Sequence, residues 1–381
     1  MKRLAPILVG LLAVGLLVAL LPRGRPQVRA RLVLPPGDVE GFARAEGPRA
    51  FDFPGDYGPH SDYQTEWWYY TGNLESSGER HFGYQLTFFR RALTPPSEWQ
   101  DRPSSWAADH VYMAHFAVTD VGGGRHQAFE RFSRGAAGLA GAESSPYRVW
   151  LDDWRVEMVE PSVYRLRAAQ GNLEIDLLLT DRKRPVLHGD SGYSRKGPEP
   201  GSASYYYSQT RLETSGMVMV GDVEYSVDGA SWMDHEFSTS VLGVDQVGWD
   251  WFALHLNDGS ELMVFQIRRT DGSVDPFSSG TLVSPDGSAR HLSRGDFEVI
   301  VESTWRSPRS GAVYPAGWRV EVPAADLMLE IDPYLTDQEL DASYIYWEGA
   351  VRVRGERAGE SLTGSGYVEM TGYAYPIQGQ F

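Results

Sequence analysis

EWWYYTGNLESSGERHFGYQLTFFRR, Glu66 to Arg91, reads as an aromatic β-hairpin. Trp67 and Trp68 open a strand that runs to Leu74, a Gly-containing polar turn follows, and a second apolar strand ends in Arg90 and Arg91. The same order returns in WDWFALHLNDGSELMVFQIRR, Trp249 to Arg269, where Trp249 and Trp251 open the strand, Leu256 ends it, and Arg268 and Arg269 close the unit. Leu74 and Leu256 lie 182 residues apart and Arg90 and Arg268 lie 178 apart, so the copies differ mainly in turn length. A supersecondary unit repeated at this distance implies two similar domains, because solenoid repeats recur every 20–50 residues or so, roughly.

The rest of the chain extends this reading. With 381 residues there is room for two domains that each bury a core. Gly 41, Pro 23 and 12% aromatics favour β-structure with many turns. His110 to Asp120, SVYRLRAA, Gly171 to Asp181, GMVMVGDVEYSVDG, FEVIVESTW and WRVEVP either alternate apolar and polar residues or run apolar for a strand's length, and turn residues bound each of them. The fold class expected is all-β: two antiparallel barrels in tandem, since closure removes the exposed edges that so many strands would leave. Residues 51–215 and 216–381 are the expected domains. Gly189 to Tyr207 is too rich in Gly, Ser and Pro for a core strand and reads as a lid-like loop or a connection.

The N-terminus speaks to location. Lys2 and Arg3 precede an apolar run from Leu4 to Leu21, broken by Pro22 and followed by Arg23 and Arg25. That is the pattern of an export signal or a membrane anchor over residues 1–30, with Val28 and Ala30 as a cleavage site. The body is therefore expected outside the cytoplasm, with residues 31–50 as a linker standing it off the membrane. Without a cysteine anywhere, disulfides, thiol catalysis and thiolate metal sites are excluded, as is lipid attachment at a cysteine. The formal charge is −16; without Lys2, Arg3, Arg23, Arg25 and Arg29, 30 basic residues face 51 acidic ones. So acidic a surface repels phosphate backbones, and nucleic acid is not an expected partner. Lysine occurs only at 2, 183 and 196, which we read as genome composition.

For chemistry the densest stretch is Trp232, Met233, Asp234, His235 and Glu236, with Trp249, Asp250 and Trp251 shortly after. An aspartic acid whose pKa is raised by burial is a general acid, and tryptophan and tyrosine faces stabilise a cation. Asp250 sits between two tryptophans; on a strand Asp234 and Glu236 share one face and His235 takes the other. The plainer readings are that the carboxylates end strands against backbone or arginine, that Trp67, Trp68, Tyr70 and the other aromatics fill barrels, and that the paired arginines bind Glu66 or Glu236. No metal site or cofactor is expected. His110 and His115 fall on opposite strand faces, His60 with Asp62 or Asp234 with its neighbours supplies only two ligands, and no H-E-x-x-H occurs. GDSGY, Gly189 to Tyr193, is not a serine-hydrolase elbow.

The pieces HSDYQTEWWYYTGNL, GYQLTFFRR, MAHFAVTD, ASWMDHEFST, GWDWFALHLNDG and GSGYVEMTGY, spread in order from His60 to Tyr373, resemble the lipocalin-like AttH and carotenoid 1,2-hydratase family. The resemblance implies two calycin-like barrels packed together, an apolar ligand site lined by aromatics and, in the hydratase branch, addition of water to an isoprenoid double bond around the equivalents of Trp232 and Asp250. Hydratases carry a histidine two positions before that tryptophan and a tyrosine two before that aspartate; here these are Ala230 and Gly248. Two functions follow. One is a binding protein for a hydrophobic, isoprenoid- or lipid-like molecule, serving a transport system, with Trp67, Trp68, Tyr70, His235, Trp249 and Trp251 as ligand contacts. The other is a hydro-lyase using Asp250 or Asp234 as acid, with Trp232, Trp249 and Trp251 holding the cation.

Overall fold

A computed structural model describes residues 39–99, 104–239 and 242–377. The signal or anchor and the first part of the linker lie outside the described residues. Within them the regular structure is β throughout, apart from short 3-10 turns. No helix among the described residues is long and apolar enough to cross a membrane.

Two antiparallel sheets form the body. The central path of the first runs Arg125–Arg134, His110–Asp120, His81–Ala92, Thr65–Ser76, Val223–Ser238, Ala203–Val220, Leu173–Asp181, Val163–Gln170, Trp154–Glu160, Tyr147–Leu151, Ala140–Ser144. It curls until its ends share one core: Phe116 meets the edge of Trp154 at 5.5 Å, and the Arg131 guanidinium lies 4.2 Å over the same indole. The second runs Ala289–Ser293, Ser279–Val283, Glu261–Arg269, Gln246–Leu256, Glu360–Met370, Ile345–Arg357, Leu327–Pro333, Val313–Val322, Glu298–Arg306, around a core in which Phe252 stands edge-on to Trp318 at 5.6 Å. These are tandem lipocalin-like barrels, as the alternation predicts.

The duplication is wider than the hairpins. In each half the aromatic hairpin pairs with the last hairpin of that half: Thr65–Ser76 with Val223–Ser238, and Gln246–Leu256 with Glu360–Met370. Residue 215 therefore lies within a strand, Ala203–Val220, which turns directly into Val223–Ser238. The division expected there moves to the crossing between Ser238 and Gln246, because strand pairing, not chain midpoint, decides which sheet a hairpin joins.

Two other expectations change. The described part of the linker is packed on the first barrel: Ala45 is buried with Ala203, Tyr205 and Phe237, and the Tyr205 hydroxyl donates to Gly47 O at 2.8 Å. Within Gly189 to Tyr207, Tyr193–Arg195 pairs with Ala203–Val220, and Tyr205 to Tyr207 are strand residues buried on both faces. Burial on both faces also explains the unbroken aromatic run at Trp67 to Tyr70. One side of that strand faces its own barrel, the other faces the second barrel.

Candidate functional site

Side chains alternate across a strand, so each aromatic hairpin serves two interiors. Trp68, Tyr70 and Leu74 point into the first barrel, and Phe252, Leu254 and Leu256 into the second. The intervening residues, Trp67 and Tyr69 from one half and Trp249 and Trp251 from the other, face each other between the barrels. They line a cavity of about 920 Å³, mouth included, with Phe89, Tyr206, Phe265 and Tyr346. An aromatic lining with a few polar groups converging on it is the character of a small-molecule site.

Carboxyl groups enter the cavity from both walls: Asp234 and Glu236 from the first barrel, Glu348 and Glu369 from the second. Asp234 is closely held. The Trp232 indole N–H donates to its Oδ1 at 2.6 Å, Ser208 Oγ donates to the same oxygen, and the Tyr206 hydroxyl donates to Oδ2 at 2.7 Å. Trp251 in turn donates to the Tyr206 oxygen at 3.0 Å, tying the acid to the opposite barrel. Burial pushes the Asp234 pKa up to about 7, against these three donors. Trp232 thus positions the acid from behind.

On the facing wall Glu348 is 1% exposed, with the hydroxyls of Tyr69 and Tyr346 beside its carboxyl and no ion pair to it among the described residues. It stands directly across the strand pair from Glu369. Burial, then the charge of Glu369, drives the Glu348 pKa well up against hydrogen bonds from Tyr69 and Tyr346; burial also raises Glu369, with the hydrogen bond from Trp249 working against it and the charges of Asp234 and Glu236 adding to it. Glu236 is paired with Lys196, whose Nζ lies 3.3 Å from Oε1 and 4.0 Å from the Phe265 ring centroid.

The sequence candidates divide by the parity of the pleat. Asp234, Trp67, Trp249 and Trp251 line the cavity, and Trp232 supports it. Trp68, Tyr70 and His235 face the first barrel: Trp68 donates to Tyr57 O at 3.1 Å, Tyr70 meets Tyr147 OH at 2.7 Å, and His235 stacks on Trp68 at 4.9 Å. Asp250, between two cavity tryptophans in sequence, points away from the cavity. It accepts from Arg268 Nε and from the Tyr373 hydroxyl, each at 3.1 Å; burial raises its pKa, offset by Arg268 and Tyr373. The expectation that Asp250 is the cavity acid is thereby corrected: neighbours in a strand face opposite ways.

The expected arginine pairing is present at Glu66. Arg90 Nε donates to Glu66 Oε2 at 2.9 Å with both side chains fully buried, while Glu66 Oε1 meets His60 Nδ1 and His235 Nε2, each at 2.8 Å. His60, Glu66 and His235 are close enough to hold a metal ion, a grouping not expected from sequence. Here each is already engaged: the second nitrogen of His60 meets Asp56 and that of His235 meets Tyr207, each at 2.8 Å. Burial lowers the His60 pKa, but its bonds to Asp56 and Glu66 outweigh this and raise it; burial leaves His235 lowered.

Sequence reading missed Glu348, Glu369, Tyr69, Tyr206 and Lys196. A signal existed: Glu348 interrupts the apolar run YIYWEGAV and Glu369 interrupts GYVEM, each a lone charge within an apolar stretch of its strand. Lys196, read as mere composition, stands at the cavity.

The molecule is thus of a definite class, a tandem lipocalin-like β-barrel protein with an aromatic, acid-lined cavity between its barrels. The AttH-like family model matches residues 44–373, and the chain belongs to that family. An AttH protein from Nitrosomonas europaea, known from its crystal structure, is 36% identical, with a TM-score of 0.77, 87% of this chain covered and 100% of the other. Kievitone hydratase from Nectria haematococca shares the fold at 14% identity and a TM-score of 0.65, over 89% of this chain and 98% of its own. The dehydratase asqC of Emericella nidulans is 22% identical over 225 residues, a match spanning 54% of this chain and 60% of the dehydratase.

Proposed function

We propose that the protein is a hydro-lyase that adds water to, or removes it from, a largely apolar substrate held between the barrels. The observation that carries this reading is Asp234, a buried aspartic acid in an aromatic cavity with a pKa of about 7. At neutral pH such a group is present in both forms, which suits it to give a proton and take one back. In hydration, Asp234 gives its proton to an alkene carbon. The resulting cation lies against the faces of Trp67, Trp249 and Trp251, water adds through oxygen, and the surplus proton returns to the Asp234 carboxylate. Dehydration is the reverse: the acid protonates a hydroxyl, water leaves, and the carboxylate takes a C–H proton from the neighbouring carbon. Trp232, Ser208 and Tyr206 hold the carboxyl in place. The hydratase and dehydratase relatives support the reaction class, and the aromatic lining supports the expected hydrophobic, isoprenoid- or lipid-like substrate.

The test is to incubate the purified full-length protein with isoprenoid alkenes and the matching tertiary alcohols, and to look for gain or loss of one water by mass spectrometry. Turnover lost in Asp234→Asn and kept in the exposed control Asp228→Asn supports the enzyme. Saturable uptake with no mass change replaces it with a binding protein serving a transport system. Export remains part of the proposal, resting on Lys2, Arg3 and the apolar run that follows; cell fractionation that finds the chain in the cytoplasm overturns it.

A further inference from the structure

Ionisable charge in the cavity does not balance. Lys196 is the one ammonium among the described lining residues, and it is spent on Glu236. Asp234 receives three hydrogen bonds. Glu348 and Glu369 remain, two acids opposite each other on adjacent strands, with no cationic side chain among the lining residues to answer them. Like charges at directly opposed positions are unfavourable, and a buried carboxyl without a partner is costly. Yet Glu348 is buried at 1% exposure with only the neutral hydroxyls of Tyr69 and Tyr346 beside its carboxyl, and neither hydroxyl brings a positive charge. The surrounding faces are aromatic: Tyr69, Tyr346, Trp249 and Trp251.

Resting on the reading of this cavity as the ligand site, we propose that its ligand carries an organic cation, a protonated amine or quaternary ammonium, seated against Glu348 and Glu369 within the aromatic faces. A cation supplies both things the wall lacks. Its charge answers the paired carboxyls, and its apolar shell lies on ring faces that attract positive charge. A hydrated divalent ion fits less well, since it needs about six oxygen ligands and the walls are mostly rings. The apolar remainder of the ligand then extends along Trp67, Phe89 and Phe265 towards Asp234. Binding involves no covalent change. A proton held on the Glu348 and Glu369 pair leaves to solvent as the ammonium takes its place.

Three probes with a six-carbon chain decide the matter: hexyltrimethylammonium, hexanol and hexanoate, titrated into the full-length protein at pH 7. Tryptophan fluorescence reports occupancy, and calorimetry in two buffers of different ionisation enthalpy reports protons released. We expect the cation to bind at least about tenfold more tightly than hexanol and to release a proton, with hexanoate weakest. Glu348→Gln should bring cation and hexanol within about threefold of each other, hexanol binding being unchanged and so showing the variant folded. Equal binding of cation and hexanol by the native protein, or a cation preference that survives in both Glu348→Gln and Glu369→Gln, overturns the inference and leaves the hydro-lyase reading standing. If none of the probes binds and isoprenoid alcohols do not quench the tryptophans either, the cavity reading falls with it.

Discussion

Asp234 in the first half and Glu369 in the second occupy matching places. Each stands on the last strand of its half, opposite the second cavity-facing aromatic of the duplicated hairpin, Tyr69 or Trp251, and each faces the cavity. What lies across the next strand differs: Ser208 opposite Asp234, Glu348 opposite Glu369. One half gives its acid a hydroxyl donor; the other sets acid against acid. The hairpins diverge in the same manner. Arg90 meets Glu66 at its own register position, whereas Arg268 is opposite Gly248 and reaches instead to Asp250. The duplicated scaffold is thus constant in pleat and pairing. Its chemistry lies in substitutions at matched positions that face the cavity.

The largest expected effect compares the two arginine pairs. Glu66→Ala leaves Arg90 buried and uncompensated and should cost about 3–5 kcal/mol of stability. Asp250→Ala, whose arginine is partly exposed, should cost less than half as much by chemical denaturation. Equal losses would break the contrast. Next comes activity. Asp234→Asn should lower kcat/KM by about 100-fold or more, and Asp250→Asn by no more than a few fold, once a substrate is in hand. The reverse ranking would return the acid to Asp250.

Gly248 sharpens the comparison further. A Cβ there would stand 2.3 Å from Thr371 O, so Gly248→Ala should cost about 1–3 kcal/mol, while Ala230→His, at a half-exposed position, should fall within about 0.5 kcal/mol. The same strand contacts leave no room at 248 for any larger side chain. The smallest effect is the pH slope. Between about pH 4 and 7 folded Asp234 keeps a proton that the unfolded chain has released, so its contribution to stability is whole below the ordinary aspartate range and is lost as pH rises to about 7. Glu348 and Glu369 act in the same direction. Each group contributes at most about 1.4 kcal/mol per pH unit, and Asp234→Asn should flatten the slope measured by urea unfolding.

Much of the fold was legible because a strand's pattern is local. His110 to Asp120 alternates and forms the strand His110–Asp120; the two aromatic hairpins announced the duplication; Asp234 and Glu236 were placed on one face and His235 on the other, as observed. Of the two candidate acids, Asp250 adjoins Trp249 and Trp251 in sequence but not in space, because the alternation that separates Asp234 from His235 also separates Asp250 from its neighbours. Residue 215 is no boundary because Val223–Ser238 pairs on one side with its neighbour Ala203–Val220 and on the other with the distant Thr65–Ser76, a partner that local pattern does not reveal.

Sequence alone determined the all-β class, the two similar halves, the acidic character and the strand faces, since each follows from composition or from a period of two along the chain. Only the tertiary structure decided that the duplicated hairpins turn one face of each toward the other, that the cavity lies between the barrels, and that Glu348 meets Glu369 there beside Asp234. Asp234 lies more than a hundred positions before Glu348 and Glu369, and only cross-strand register and the packing of one curled sheet on another bring the three together.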